Sequence, residues 1–278
     1  MSIFSVAEAN KWLIPIRKVD TPAARLIAFH WVGGNGFVYR PWKKELPENI
    51  EIYAMMLPGR LSRRKEAFVE SVDDVVLQLL RSMLTLGFAG EDNHNSNQQP
   101  PPTVFFGHSY GGIIAYELAV QLQNERLLRV SHLVVSSTNC PKVLTMRSTS
   151  SDDNFYKKFH QLSDDDLEQE LIEQGALLGG VHIDILRASL PIIRADYKGL
   201  ETYILKSTTA APLPKGKDYD ENYCGLHQSV FHGPLTVWGG TEDLHNVSEE
   251  SLAGWREHQG AVHTECECDG PFTCKLFR

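Results

Sequence analysis

One short segment constrains the fold of this chain more than any other. Residues 107–112 read Gly-His-Ser-Tyr-Gly-Gly, with the apolar run 104–106 before them and the helix-type residues 113–119 after them. A G-x-S-x-G sequence between a strand and a helix holds its serine on a sharp turn with the hydroxyl exposed, ready to attack an acyl carbon. Glycines suit this turn because strand and helix pack too closely for a Cβ. We therefore expect Ser109 to be a nucleophile.

The rest of the chain alternates between predicted strands and helices. Short apolar runs predict strands at 25–30, 51–57, 131–137 and 235–240, and residues 72–86 carry apolar side chains at helical spacing. The polar, proline-containing segments 90–102 and 208–222 are predicted to be surface loops. Such alternation predicts an α/β fold with a mostly parallel central sheet and reactive loops at the carboxyl ends of the strands.

Composition excludes several classes of protein. A net charge of -8 over 278 residues argues against a nucleic-acid surface. The first residues lack a secretory signal, and no stretch is long and apolar enough to span a bilayer, so we expect a soluble, cytoplasmic protein with no membrane partner. Five cysteines are an odd number, and Cys266, Cys268 and Cys274 do not complete a four-ligand zinc set. No metal is expected.

An acidic, amphipathic segment lies between two of the predicted strands, at about 152–205. Its helical spacing predicts either a lid over the reactive edge of the sheet or an ordinary packed pair of helices. The sequence pattern alone leaves both readings open.

Several segments together resemble the type II thioesterase family. They are His-Trp-Val-Gly-Gly at 30–34, Leu-Pro-Gly-Arg at 57–60, the serine segment at 107–112, Arg-Ala-Asp at 194–196 and Gly-Gly-Thr-Glu-Asp at 239–243. The similarity extends over nearly all of the chain up to about residue 258. Members of this family are α/β-hydrolases that serve polyketide and nonribosomal peptide synthetases, and the medium-chain hydrolase of animal fatty acid synthase is similar.

The resemblance implies one α/β-hydrolase domain over residues 1–278, with a helical lid inserted at about 152–205 and an atypical end after about 258. It implies hydrolysis of acyl thioesters on the phosphopantetheine arm of an acyl or peptidyl carrier protein of a fatty acid, polyketide or nonribosomal peptide synthase. The enzyme would be a monomer with no cofactor of its own.

The resemblance also assigns roles to individual residues. Ser109 would form the acyl-enzyme, and Asp243 would orient the catalytic base, although the same aspartate could merely cap the turn after residues 239–240. The backbone N–H groups of Val32 and Tyr110 would form the oxyanion hole. The adjacent glycines at 33–34 fit that loop but would also suit a plain flexible turn.

The catalytic base is where the sequence departs from the family. The family has Gly-Gly-His-Phe after its last strand, whereas residues 269–272 read Asp-Gly-Pro-Phe, and Pro271 cannot accept a proton. His245 is on the correct edge of the sheet but would equally suit an ordinary loop. His263 would lie at the wrong end of a last strand over 261–268, His108 should point away from Ser109, and His30 borders the oxyanion loop in packing or in substrate contact.

The missing base leaves more than one function open. Either efficient hydrolysis has been lost and acyl-carrier binding kept, or the sequence after about 258 is truncated or altered. The rival functions are a catalytically impaired carrier-binding protein and an esterase of small free esters. A basic cluster at Arg60, Arg63, Arg64 and Lys65 is either a docking site for an acidic carrier or a solvated face.

Overall fold

The computed structural model describes residues 4–90, 100–150, 157–177, 181–205, 230–240, 249–259, 266–267 and 274–277, the last two segments as backbone. The strands are β1 (Leu13–Arg17), β2 (Ala24–Phe29), β3 (Ile50–Met55), β4 (Thr103–His108), β5 (His132–Ser136), β6 (Leu235–Gly240), β7 (Cys266–Glu267) and β8 (Cys274–Phe277). The α-helices are α1 (Val6–Trp12), α2 (Trp42–Glu45), α3 (Val72–Thr85), α4 (Tyr110–Asn124), α5 (Pro141–Thr149), α6 (Asp164–Glu173), α7 (Ile183–Glu201) and α8 (Glu249–Gly254).

All eight described strands form one sheet, in the order β1-β3-β2-β4-β5-β6-β8-β7. The five strands β3, β2, β4, β5 and β6 run parallel, β1 and β8 run antiparallel to them, and β7 pairs antiparallel with β8. The crossovers between parallel strands carry helices, as parallel pairing requires. The predicted mostly parallel α/β fold is confirmed.

The strand order creates a switch point between β2 and β4. From β2 the chain crosses to β3 on one side, and β4 then pairs with the other side of β2 before the chain continues to β5. Loops leaving the carboxyl ends of two such neighbours diverge and open a crevice, where ligands bind in open α/β sheets. The loop after β2 and the turn after β4 flank this crevice, and the register pairs Phe29 with Gly107 at its floor.

Helix α4 lies in the centre of the core. Eleven of its fifteen residues are buried, and it packs against β4, β5, β2 and α3. A helix with so little polar surface belongs in the interior rather than on it. The same apolar core takes in α3, whose buried face includes Val75 and Leu79. The turn at Ser109, at the start of α4, is therefore supported by the main apolar core.

Helices α6 and α7 form a smaller apolar cluster of their own. Leu167 and Leu171 of α6 pack with Leu186, Leu190 and Ile193 of α7. Ser163 caps α6 by accepting from the N–H of Asp166, and three aspartates in the first turn favour the helix dipole. Val32, in the loop after β2, touches both this cluster and the main core. That the pair is a lid, and the chain one domain, remains a prediction.

Most predicted elements agree with the structure to within two residues. The strands predicted at 25–30, 51–57, 131–137 and 235–240 correspond to β2, β3, β5 and β6, and the helix predicted at 72–86 to α3. The last strand differs: the neighbour of β6 is β8, which runs antiparallel and comes after residue 271. Most of loop 90–102 and all of loop 208–222 lie outside the described residues.

Two kinds of feature are absent from the described residues. No helix among them is long and apolar enough to cross a bilayer. No group of three or more histidine, cysteine or acidic side chains lies close enough within these segments to hold a metal ion.

Candidate active site

Ser109 occupies a strained turn between β4 and α4. Its backbone has φ 52° and ψ -120°, a region that a residue with a side chain seldom adopts. Such a conformation costs on the order of 1–3 kcal/mol and persists only where its surroundings enforce it. The strand-turn-helix context predicted for the serine is therefore present, and the turn has the geometry of a nucleophile elbow.

Hydrogen bonds from the neighbouring strand hold this turn in place. The Ser109 N–H donates to the Ser136 carbonyl at 2.8 Å, which continues the pairing of β4 with β5. Thr138, just after β5, donates its hydroxyl to the carbonyls of Ser109 and Ser136, each at 3.0 Å. Thr138 was not predicted, because nothing in the sequence links it to a serine 29 positions earlier.

Gly111 allows the start of α4 to lie directly against the end of β2. A Cβ at this position would overlap the backbone carbonyl of Phe29 and come within 2.7 Å of that of His30. Any side chain here would push helix and strand apart. The second glycine of G-x-S-x-G is thus required by the close approach of the nucleophile turn to the loop after β2.

Tyr110 is the first residue of α4. The first N–H groups of a helix have no acceptor within the helix, and they lie at the positive end of its dipole. The Tyr110 N–H therefore suits an oxyanion. Its side chain is fully buried, its hydroxyl has no hydrogen-bond partner among the described residues, and burial raises the pKa of the phenol, so the hydroxyl stays protonated.

Val32 lies in the loop after β2, on the other side of the crevice from Ser109. A turn closed by the Gly34 N–H on the Trp31 carbonyl, at 3.0 Å, encloses it. Gly33 follows with φ +73°, a left-handed conformation that favours glycine. Both predicted oxyanion donors thus border the switch point, Val32 in the loop after β2 and Tyr110 at the start of α4.

A buried ion pair that the sequence analysis missed fixes this loop. Arg60, after β3, pairs with Asp196 of α7, and both side chains are almost completely buried. Asp196 also accepts from the Gly33 N–H at 2.8 Å, and Arg60 donates to the carbonyls of Gly34 at 2.7 Å and Pro58 at 2.9 Å. The segments 57–60 and 194–196, noted for their resemblance, meet here.

The docking hypothesis for the basic cluster is wrong for two of its four residues. Arg60 is buried in the ion pair with Asp196. Arg63 is also buried, stacked over the Trp12 ring and paired with Glu66 at 2.7 Å. Charge density along the sequence suggested a surface, but these guanidinium groups satisfy interior carbonyls and carboxylates. Arg64 and Lys65 are exposed.

The histidines nearest to the crevice contact groups other than Ser109. His30 is fully buried, its Nδ1 lies 2.9 Å from the Trp31 carbonyl, and burial together with Arg60 lowers its pKa to about 3. The structure therefore places His30 in packing. His108 has its Nδ1 3.1 Å from the Ser136 hydroxyl and its ring against Trp31, whose side chain is half-exposed at the crevice.

The remaining predicted site residues lie outside the described part of the chain. They are Asp243, His245, His263 and Pro271. What the structure does place is the strand before Asp243: β6 ends at Gly240, on the same edge of the parallel sheet as Ser109.

Comparison with known proteins identifies the family. Residues 24–272 match the model of the Thioesterase domain. The linear gramicidin dehydrogenase LgrE of Brevibacillus parabrevis is 26% identical over 255 residues, which are 91% of this chain and 82% of that protein. The medium-chain S-acyl fatty acid synthase thioesterase of Homo sapiens is 26% identical over 237 residues, 84% of this chain and 74% of that one.

A solved structure gives the same result for the fold. BorB, the type II thioesterase from the borrelidin biosynthetic cluster, superposes with a TM-score of 0.66 and 26% identity, over 89% of this chain and 84% of its own. LgrE is named as a dehydrogenase, and the other two relatives as thioesterases. The match to the Thioesterase domain spans every element of the sheet from β2 to β7. The chain belongs to the thioesterase family, in its type II group, and has the α/β-hydrolase fold.

Proposed function

We propose that this protein hydrolyses acyl thioesters held on the phosphopantetheine arm of a carrier protein, with Ser109 as the nucleophile. Membership of the thioesterase family supports acyl thioester hydrolysis. The observation that supports Ser109 as the nucleophile is its strained turn, placed at the carboxyl end of β4 beside the switch point of the sheet. The carrier substrate is inferred from relatives named for a fatty acid synthase and for the borrelidin biosynthetic cluster.

The proposed reaction has two steps. The Ser109 Oγ attacks the thioester carbonyl and gives its proton to the base, and the pantetheine sulfur leaves as a thiol once it has been protonated. Water then attacks the resulting ester on Ser109 and releases the free acid. Negative charge on the carbonyl oxygen is stabilised in both steps by the N–H groups of Val32 and Tyr110.

The base is proposed to come from outside the described residues. Asp243 follows β6, which fits the chain order Ser, Asp, His of this fold. Pro271 stands where the family has its histidine, and His245 is the candidate replacement. A carrier-binding protein with little catalysis is the second candidate function, favoured by Pro271 and by the other contacts that His30 and His108 make.

The test is release of free acid from an acyl-loaded carrier protein by the wild type, Ser109→Ala and Ser82→Ala. Ser82 is a buried serine of α3 whose hydroxyl bonds to the Gln78 carbonyl, so its variant controls for loss of a buried hydroxyl. We expect release by the wild type and Ser82→Ala, and a loss of at least 1,000-fold in Ser109→Ala. Equal release from Ser109→Ala would exclude the serine mechanism.

Two further measurements separate the alternatives. Carrier bound by the wild type without any release would identify the binding protein, and faster hydrolysis of small oxygen esters than of the loaded carrier would identify an esterase. His245→Asn tests the base, with His232→Asn, at an exposed histidine before β6, as its control. A loss of release confined to His245→Asn would assign the base to His245.

A further inference from the structure

Helix α7 holds the loop after β2 through a single carboxylate. Asp196 Oδ2 accepts from the Gly33 N–H at 2.8 Å and from the Arg60 guanidinium. Arg60 in turn donates its Nε to the Gly34 carbonyl at 2.7 Å. One ion pair therefore binds two successive residues of the loop, one through its N–H and the other through its carbonyl. We refer to Arg60 and Asp196 together as the clamp.

The clamp acts one residue away from a proposed oxyanion donor. Gly33 follows Val32 directly, so the peptide plane that contains the Gly33 N–H also contains the Val32 carbonyl. Fixing that plane limits rotation about the bonds of Val32 and thereby the direction of the Val32 N–H. The Gly33 N–H is occupied by Asp196 and the Gly34 N–H by the Trp31 carbonyl, so neither of these two groups is free to bind a substrate oxygen.

Helix α7 also contacts the loop and Tyr110 sterically. A Cβ at Gly33 would lie 2.8 Å from Cγ1 of Ile193, one turn before Asp196 on the helix. A Cβ at Gly199 would lie 2.6 Å from the Tyr110 hydroxyl. The helix therefore lies against Gly33, the residue after the proposed donor Val32, and against the side chain of the other proposed donor, Tyr110. A shift of helix α7 would therefore displace Gly33 and the Tyr110 side chain.

We propose that Arg60 and Asp196 are positioning residues that orient the Val32 N–H toward the substrate oxygen and make that orientation depend on helix α7. This inference rests on the proposed function, because it takes the Val32 N–H as an oxyanion donor. Neither side chain touches the reacting atoms. Both act through the backbone of the loop after β2.

The chain supplies a matched control for this proposal. Arg25 and Glu51, the second residues of β2 and β3, form another buried ion pair, with an N–O distance of 2.7 Å. It lies at the opposite end of β2 from the loop, four residues before Phe29, or about 13 Å along the strand. Breaking it removes a buried charge without touching the loop.

The experiment compares wild type, Asp196→Asn, Arg60→Lys and the control Glu51→Gln on a p-nitrophenyl acyl ester, which needs no carrier. We expect kcat to fall about 10- to 100-fold in Asp196→Asn and Arg60→Lys with KM changed less than twofold, since displacing an oxyanion donor weakens transition-state binding alone. Glu51→Gln should keep kcat within twofold. Equal kcat values in Asp196→Asn and Glu51→Gln would overturn the proposal.

Hydrogen exchange on the same proteins provides a readout without turnover. We expect the amides of residues 30–36 to exchange faster in Asp196→Asn than in Glu51→Gln, and unchanged exchange there would overturn the clamp even in an inactive protein. Failure of the proposed function has a different signature, which is a wild type that releases no acid from the loaded carrier. The two failures are therefore distinguishable.

Discussion

Replacing His258 should remove part of the acid sensitivity of this protein. His258 ends the short helical turn after α8, is buried to 95%, and packs its ring against Tyr116 and Trp255. Its Nε2 has no hydrogen-bond partner among the described residues. Burial lowers the pKa of His258 from 6.5 to about 4, with Glu257 opposing the shift and Lys142 adding to it.

The direction and size of the effect follow from this pKa. As the pH falls, the unfolded chain gains a proton at His258 near pH 6.5, whereas the folded protein gains it only near pH 4. Proton binding therefore favours the unfolded state between these two pH values. The contribution of His258 to the free energy of unfolding is fully present above about pH 6.5 and is lost as the pH falls toward 4. Between pH 7 and pH 5 the loss from this histidine is about 2 kcal/mol, and below pH 4 it levels off at about 3 kcal/mol.

The assay is urea unfolding of the wild type, His258→Gln and the control His182→Asn at pH 7, 6 and 5. His182 is largely exposed at the start of α7, where asparagine keeps the helix cap. Between pH 7 and pH 5, the free energy of unfolding of His258→Gln should fall by about 2 kcal/mol less than that of the wild type. That of His182→Asn should fall as much as that of the wild type. An unchanged pH dependence in His258→Gln would refute the burial argument.

Two further predictions concern the turn and the small cluster of α6 and α7. Thr138→Val should lower the free energy of unfolding by about 0.5–1.5 kcal/mol, because the carbonyls of Ser109 and Ser136 lose the Thr138 hydroxyl and each keeps one backbone donor. Thr138→Ser keeps the hydroxyl and should lose less; equal losses in urea unfolding would contradict the assignment. Leu167→Ala should cost about 2–5 kcal/mol by opening a cavity in a fully buried position, and Leu167→Met under 1.5 kcal/mol. A loss under 1 kcal/mol in Leu167→Ala would show that the cluster collapses around the gap.

Local signals in the sequence predicted the parallel strands and the strand-turn-helix geometry around Ser109 well. Strands such as β5 and β6 are apolar runs bounded by turn residues, and the serine turn needs only the few residues around it. The same local character explains why the turn at Ser109 could be predicted, because Gly107 and Gly111 indicate a tight turn between strand and helix. These are properties of six or seven consecutive residues.

Contacts between residues far apart in the sequence could not be predicted from local sequence patterns. Arg60 and Asp196 are 136 positions apart, and Thr138 is 29 from the serine that it supports. From the sequence, Arg60 is interpreted as a surface charge beside Arg63 and Arg64, because no neighbouring residue indicates that a carboxylate from another element will contact it. Only the topology, which brings the loop after β2 under α7, decides that question.

The contribution of the buried pair Arg60–Asp196 depends on which groups it contacts more than on how strongly its two charges attract each other. A buried pair is weak evidence for stability, because the cost of removing both charges from water offsets much of their attraction. An apolar pair could fill the volume of Arg60 and Asp196, but it would leave the Gly33 N–H and the Gly34 carbonyl buried without partners. The Asp196 carboxylate of α7 accepts from the Gly33 N–H, and its partner Arg60 donates to the Gly34 carbonyl, so the ion pair satisfies both groups. Helix α7 therefore takes part in holding the loop that borders the candidate site.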